Sequence, residues 1–222
     1  MATYWVPFAV VALALTAVLV VLTRLSAALF DEDATDLTST ELLVNTTASQ
    51  VTLAAMLLVV GWLTGVPADS LGLAWSIELL AVGVGTGLAF AVANEALMRV
   101  FDAVGLGYDD SLREALTPTT LAGWLLLLFV ALPVVAGFEE LLFRGVLIGA
   151  LSTGFGLSPW LLGVLSSVAF GAAHTAQGWV GVFVTTLLGL VLAAVYVTTG
   201  SLLVVFVAHY VMNAVEFVVH AD

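Results

Sequence analysis

Seven apolar runs divide this chain of 222 residues, at positions 5–25, 51–66, 75–97, 121–136, 158–173, 180–198 and 201–219. A helix that crosses a bilayer needs about 20 apolar residues, and a transmembrane β-strand only about 9–11. Backbone polar groups in lipid must be satisfied within the chain, so runs of this length fold as helices. An eighth, shorter helix is expected at 138–151, where charges appear between Gly137 and Gly154. The reading is therefore all-α: a polytopic membrane helical bundle of about seven to eight hydrophobic helices, forming one integral membrane domain over 1–222. There is no internal repeat and no domain break.

Composition agrees with that reading. At 62% hydrophobic and 9% charged, the chain lies far from the soluble norm of about 45–50% apolar and about 25% charged. Four basic residues give no face for phosphates, which excludes nucleic acid as a partner. With no cysteine, disulfides, thiolate-bound zinc and a thiol nucleophile are impossible. Lysine is absent and the formal charge is −12. Such self-repulsion is tolerable where salt screens it, which suggests the cell membrane of a halophilic, archaeal-like prokaryote.

The first 30 residues lack a basic leader, and their apolar run exceeds the about 7–15 residues of a signal peptide, so span one reads as a retained anchor. Arg24, Arg99 and Arg113 fall on one side if the spans alternate, and the positive-inside bias makes that side cytoplasmic. The six tryptophans lie mostly near span ends, as an interfacial belt requires. Residues 30–50 read as an acidic solvated loop, with a short helix starting near Ser39 in the pattern S-T-E-L-L. Residues 102–120 read as a loop with a short amphipathic turn.

Ionisable groups at membrane depth cost about 2.5–3.5 kcal/mol each on insertion scales and are functional candidates by default. The exceptions to the apolar pattern are Glu78, Glu95, Glu139, Glu140, Arg144, His174, His209, Asn213 and Glu216. Glu78 and Glu95 read as span-end or paired groups. On a helix Glu140 and Arg144 are four residues apart on one face, acid before base, which is the favourable order. Glu139 then points about 100° away, free to act as a general base. His174 follows Phe170 by four residues among small neighbours that allow close helix approach. His209 and Asn213 share a face of the last span; Glu216 continues that stripe as a supporting candidate, and His220 reaches the interface.

Two carboxylates, two histidines and an amide converging at membrane depth suit peptide-bond hydrolysis. A base and a histidine can position water, and a histidine and an asparagine can hold an oxyanion. No serine-hydrolase signature surrounds Ser166 and Ser167, and H-E-x-x-H is absent. Two histidines and a glutamate can also bind zinc, so spacing leaves metal-activated and glutamate-activated water both open.

The motifs E-E-x-x-x-R (Glu139, Glu140, Arg144), F-x-x-x-H (Phe170, His174) and H-x-x-x-N (His209, Asn213), in that order on separate hydrophobic helices, resemble the CPBP family. These are the CAAX-processing and bacteriocin-processing (Abi) intramembrane proteases, which include the Ras-converting CAAX endopeptidases. The resemblance implies a catalytic core over 121–219 and variable N-terminal spans over 1–100. It implies that Glu139 and His174 activate water, that His209 and Asn213 form the oxyanion site, and that Glu140, Arg144 and Phe170 support them. It implies a membrane-embedded or lipid-modified, CAAX-like peptide substrate within the bilayer. No metal is assigned; a zinc, if present, would fall to Glu139, His174 and His209. The rival classes are a membrane scaffold or peptide-immunity protein, which has no need of all four catalytic candidates, and an ion-coupled transporter, which favours broken helices in both halves.

Overall fold

The computed structural model describes residues 3–30, 37–106 and 109–221. Among them there is no strand. We number the helices α1 (Trp5–Phe30), α2 (Ser39–Thr64), α3 (Ile77–Ala103), α4 (Ser111–Leu116), α5 (Leu121–Phe155), α6 (Pro159–Ala172), α7 (Gly178–Thr199) and α8 (Leu202–Val219). All but α4 and α6 are long and apolar enough to cross a membrane. The protein is an integral, multi-pass membrane protein of all-α architecture.

Two sequence expectations are corrected. The fourth span and the short helix 138–151 are one 35-residue helix, α5. Gly137 does not break it, because an apolar surrounding offers its backbone no partner except the next turn. The ladder instead shifts register, with π-helical segments at Leu127–Ala131 and Leu141–Ala150. The first lies just ahead of Pro133, whose missing N–H and ring α-geometry would not accommodate. Termination falls at Gly156, in the left-handed region at φ 67°. Gly154 lies inside the helix, where a Cβ would run into the Trp5 ring.

The second correction concerns 39–50, which is the first half of α2 rather than a solvated loop. The S-T-E-L-L signal does mark its start. Thr38 caps the helix and Glu41 returns a carboxylate to the Thr38 N–H at 2.9 Å. The polar residues that suggested a loop are absorbed by the helix itself: Thr47 and Thr52 donate to the carbonyls of Leu43 and Ala48 at 2.7 and 2.8 Å. Of the loop reading, residues 31–36 lie outside the described residues. In the second polar stretch α4 forms the amphipathic turn, with 107–108 outside the described residues.

The helices pack around α5. Its segment from Phe138 to Leu151 is buried almost throughout, and Phe138, Leu142, Phe143, Val146 and Ile148 anchor the main core. Helix α3 lies along α8, and α6 along α7. Gly83 and Gly87 set the first contact, because a Cβ at either would meet Val207 or the Ala208 backbone at 2.7–2.8 Å. Trp62, Trp75, Trp160 and Trp179 stand exposed near helix ends.

Candidate active site

Helix α5 supplies two adjacent carboxylates in two different environments. Glu140 is fully buried. Its Oε1 accepts from Arg144 Nη1 at 2.8 Å and from His209 Nδ1 at 2.7 Å. Arg144, 1% exposed, also donates from Nη2 to the Gly189 carbonyl at 3.2 Å, and its guanidinium stacks 4.5 Å from the centre of the Phe170 ring. Small size at Gly189 is required here: a Cβ would press on Ser167 and Phe170 at 3.1–3.3 Å. The guanidinium is thus paired, hydrogen-bonded and stacked, while Glu140 Oε2 is buried with no hydrogen-bond partner among the described residues.

Glu139 turns the other way, into a cavity of about 230 Å³ whose wall also includes Phe170, His174, His209, Asn213 and Glu216. Its Oε1 lies 3.7 Å from His174 Nε2 and its Oε2 lies 3.7 Å from His209 Nε2. These separations are too long for direct hydrogen bonds, and a water bridging either pair would sit beside the line that joins them.

Both rings are oriented from behind. His174, just past the end of α6, presents Nδ1 to the Phe170 carbonyl at 2.7 Å. His209 presents Nδ1 to Glu140. Carbonyl and carboxylate oxygens only accept, so each Nδ1 carries the proton and each Nε2 faces Glu139. Phe170 packs against both rings, with centroids 4.6 and 5.9 Å apart.

The structure therefore brings Glu139, His174, His209 and Asn213 to one cavity, with Glu140, Arg144 and Phe170 behind them. Glu216 lies farther along the wall and His220 sits 3.4 Å from Glu95, which also pairs with Arg99 at 2.8 Å. Glu78 is exposed at the start of α3.

Sequence reasoning passed over Asn94, Asp109, Arg113 and Gln177, which line the cavity as well. Asn94 was visible as an amide inside an apolar span; the others lie in or beside connections. Outside the spans, the hydroxyl and backbone N–H of Ser111 hold Asp109 below the ordinary carboxylate range. As for a cation, each Glu139 oxygen addresses a different histidine, and among the described residues no three His, Asp or Glu side chains form a ligand set.

Residues 121–215 match the family model described as type II CAAX prenyl endopeptidase Rce1-like. Over this segment the chain is similar to the Rce1-like family. The match takes in every residue named above as catalytic or supporting except Glu216, and the family supports intramembrane protease activity in general. No curated protein and no solved structure matches the chain. The Rce1-like segment is α5 through most of α8, so α1–α4 precede it.

Proposed function

We propose that the chain is an intramembrane endopeptidase that hydrolyses a peptide bond in a membrane-embedded or lipid-modified, CAAX-like substrate. The observation that carries this reading is the placement of one Glu139 oxygen before each of two histidine Nε2 atoms, at 3.7 Å. A water between Glu139 and His174 gives one proton to the carboxylate and directs the other at Nε2. Its oxygen adds to the substrate carbonyl as Glu139 takes the proton. The oxyanion is held by the Asn213 amide and by the His209 ring, whose orientation Glu140 fixes through Nδ1. Collapse breaks the C–N bond, and the proton on Glu139 passes to the leaving amine. No acyl-enzyme forms.

Glu140 and Arg144 act at one remove, by fixing the His209 ring. The cavity reaches α4 and the end of the bundle that carries Arg99 and Arg113, which the positive-inside bias places in the cytoplasm. The test is mass spectrometry of protein termini in membranes from cells carrying the parent chain or Glu139→Gln. New termini seen only with the parent support the protease and name its substrates. Identical termini at equal protein level would turn the reading towards a scaffold or a transporter.

A further inference from the structure

Three side-chain amides line the catalytic cavity, those of Asn94, Gln177 and Asn213. Among the described residues only that of Gln177 is tied by a hydrogen bond: its Oε1 accepts from the buried Thr185 hydroxyl at 2.9 Å. The bond runs from the residue before α7 to a position two turns into it. It can do so because the Gln177 side chain lies along the helix over Gly181, where a Cβ would collide with it. The backbone is fixed too, since the Gln177 N–H donates to the His174 carbonyl at 3.1 Å. Helix α7 returns beside α6, and a Cβ at Gly171 would meet Thr186 and the Val182 carbonyl. Thr185 therefore stands level with the end of α6, next to His174, and the Gln177 amide is carried back to that level. With Oε1 occupied, both N–H groups of Nε2 are left without an acceptor among the described residues. The cavity neighbours from α7 are Val184, Thr185 and Leu188. The Thr185 proton is already used, so Nε2 is the donor this wall offers.

We propose that the Gln177 amide holds a backbone carbonyl of the bound substrate, that of a residue adjacent to the one attacked, and so sets how the peptide lies against Glu139. This rests on the protease reading above. The two Glu139 oxygens face different histidines, His209 on α8 and His174 past the end of α6. A scissile carbonyl turned towards His209 and Asn213 leaves its neighbours turned the other way, because successive carbonyls of an extended chain alternate. The other way is the side of His174 and Gln177. Such a contact reads the main chain and not a side chain, so it aligns peptides of differing sequence.

The test uses the full chain in lipid nanodiscs and a fluorescent S-farnesyl-cysteine peptide of the CAAX type. Two analogues carry a trans-alkene in place of the peptide bond just before the scissile one or just after it, which deletes one carbonyl and keeps the extended shape. For the parent, one analogue has a KM about three- to tenfold above that of the intact peptide, as loss of one neutral hydrogen bond requires. Gln177→Met raises the KM of the intact peptide to the same level with kcat little changed, and adds nothing on that analogue. Thr185→Val, which releases the amide, gives a smaller rise. An equal loss on all three peptides in Gln177→Met, or a fall in kcat alone, would overturn the contact and leave Gln177 a brace for the turn behind His174. Fluorescence anisotropy in the Glu139→Gln background separates the two claims. If the parent cuts no peptide, yet adding Gln177→Met weakens binding of the intact peptide and not of that analogue, the protease reading fails and the contact stands. If the parent cuts the intact peptide and Gln177→Met binds all three as the parent does, the contact fails and the protease reading stands.

Discussion

On one side of α5 a cavity holds Glu139 between two histidines; on the other a sealed packing of Arg144, Phe170 and the α7 backbone holds Glu140. The two carboxylates are chemically alike and adjacent in sequence. Glu140 spends its Oε1 on two direct partners at 2.7–2.8 Å, while Glu139 makes only looser approaches at 3.7 Å. A carboxylate whose partners are already close is structural; one whose partners stand beyond hydrogen-bond distance keeps acceptor capacity for a reacting molecule. The region that tolerates no gap orients the region that needs one, through the shared ring of His209.

The sharpest way to break this contrast is to remove charge on each side in turn. Glu139→Gln is expected to lower kcat by up to about 10⁴-fold, the upper range for a general base, with an unchanged melting temperature. Peptide turnover and thermal melting of the same sample check both halves, and near-parental turnover would end the assignment. Arg144→Ala leaves Glu140 buried without its cation, at a cost of about 3–5 kcal/mol in stability, with activity lost as His209 loosens. A variant that loses activity but melts like the parent would contradict the clamp. Asn213→Ala removes one oxyanion donor, lowering kcat by about 10²–10³-fold with KM little changed, as steady-state kinetics would read.

The smallest expected effect lies outside the membrane. Asp109, held below its ordinary range by Ser111, contributes stability that is present above the unfolded-state value near pH 4. That contribution is lost only as pH falls through the lower folded-state value. Asp109→Asn should therefore lower the melting temperature slightly at pH 7, and the gap to the parent should close under strong acid. Differential scanning at the two pH values measures it.

Much of this arrangement was legible in the sequence, because charges inside apolar runs are conspicuous and helical spacing assigns them to faces. The four-residue interval of Glu140 and Arg144 separates Glu140 from Glu139 without any coordinates. The π segments were not legible: L-L-F-R-G-V-L-I-G-A reads as ordinary α-helix, and its register shift is fixed by tertiary packing, including the Ser166 hydroxyl bonded to the Phe143 carbonyl. The polar half of α2 misled for the converse reason, since hydroxyls that suggest water are satisfied by their own helix. Nor could any pattern show that Arg144 finds the Gly189 carbonyl 45 positions away.

The length of α5 has one more consequence. Thirty-five residues rise about 50 Å, against a hydrocarbon thickness of about 30 Å. Such a helix lies strongly inclined, or carries its ends into the headgroup layers, and hydrophobic mismatch sets how far. Because α5 bears Glu139 near its midpoint while the histidines stand on other helices, its inclination enters the geometry of the site directly. Bilayer thickness thereby becomes a variable of the chemistry, and turnover in vesicles of graded acyl-chain length should pass through an optimum.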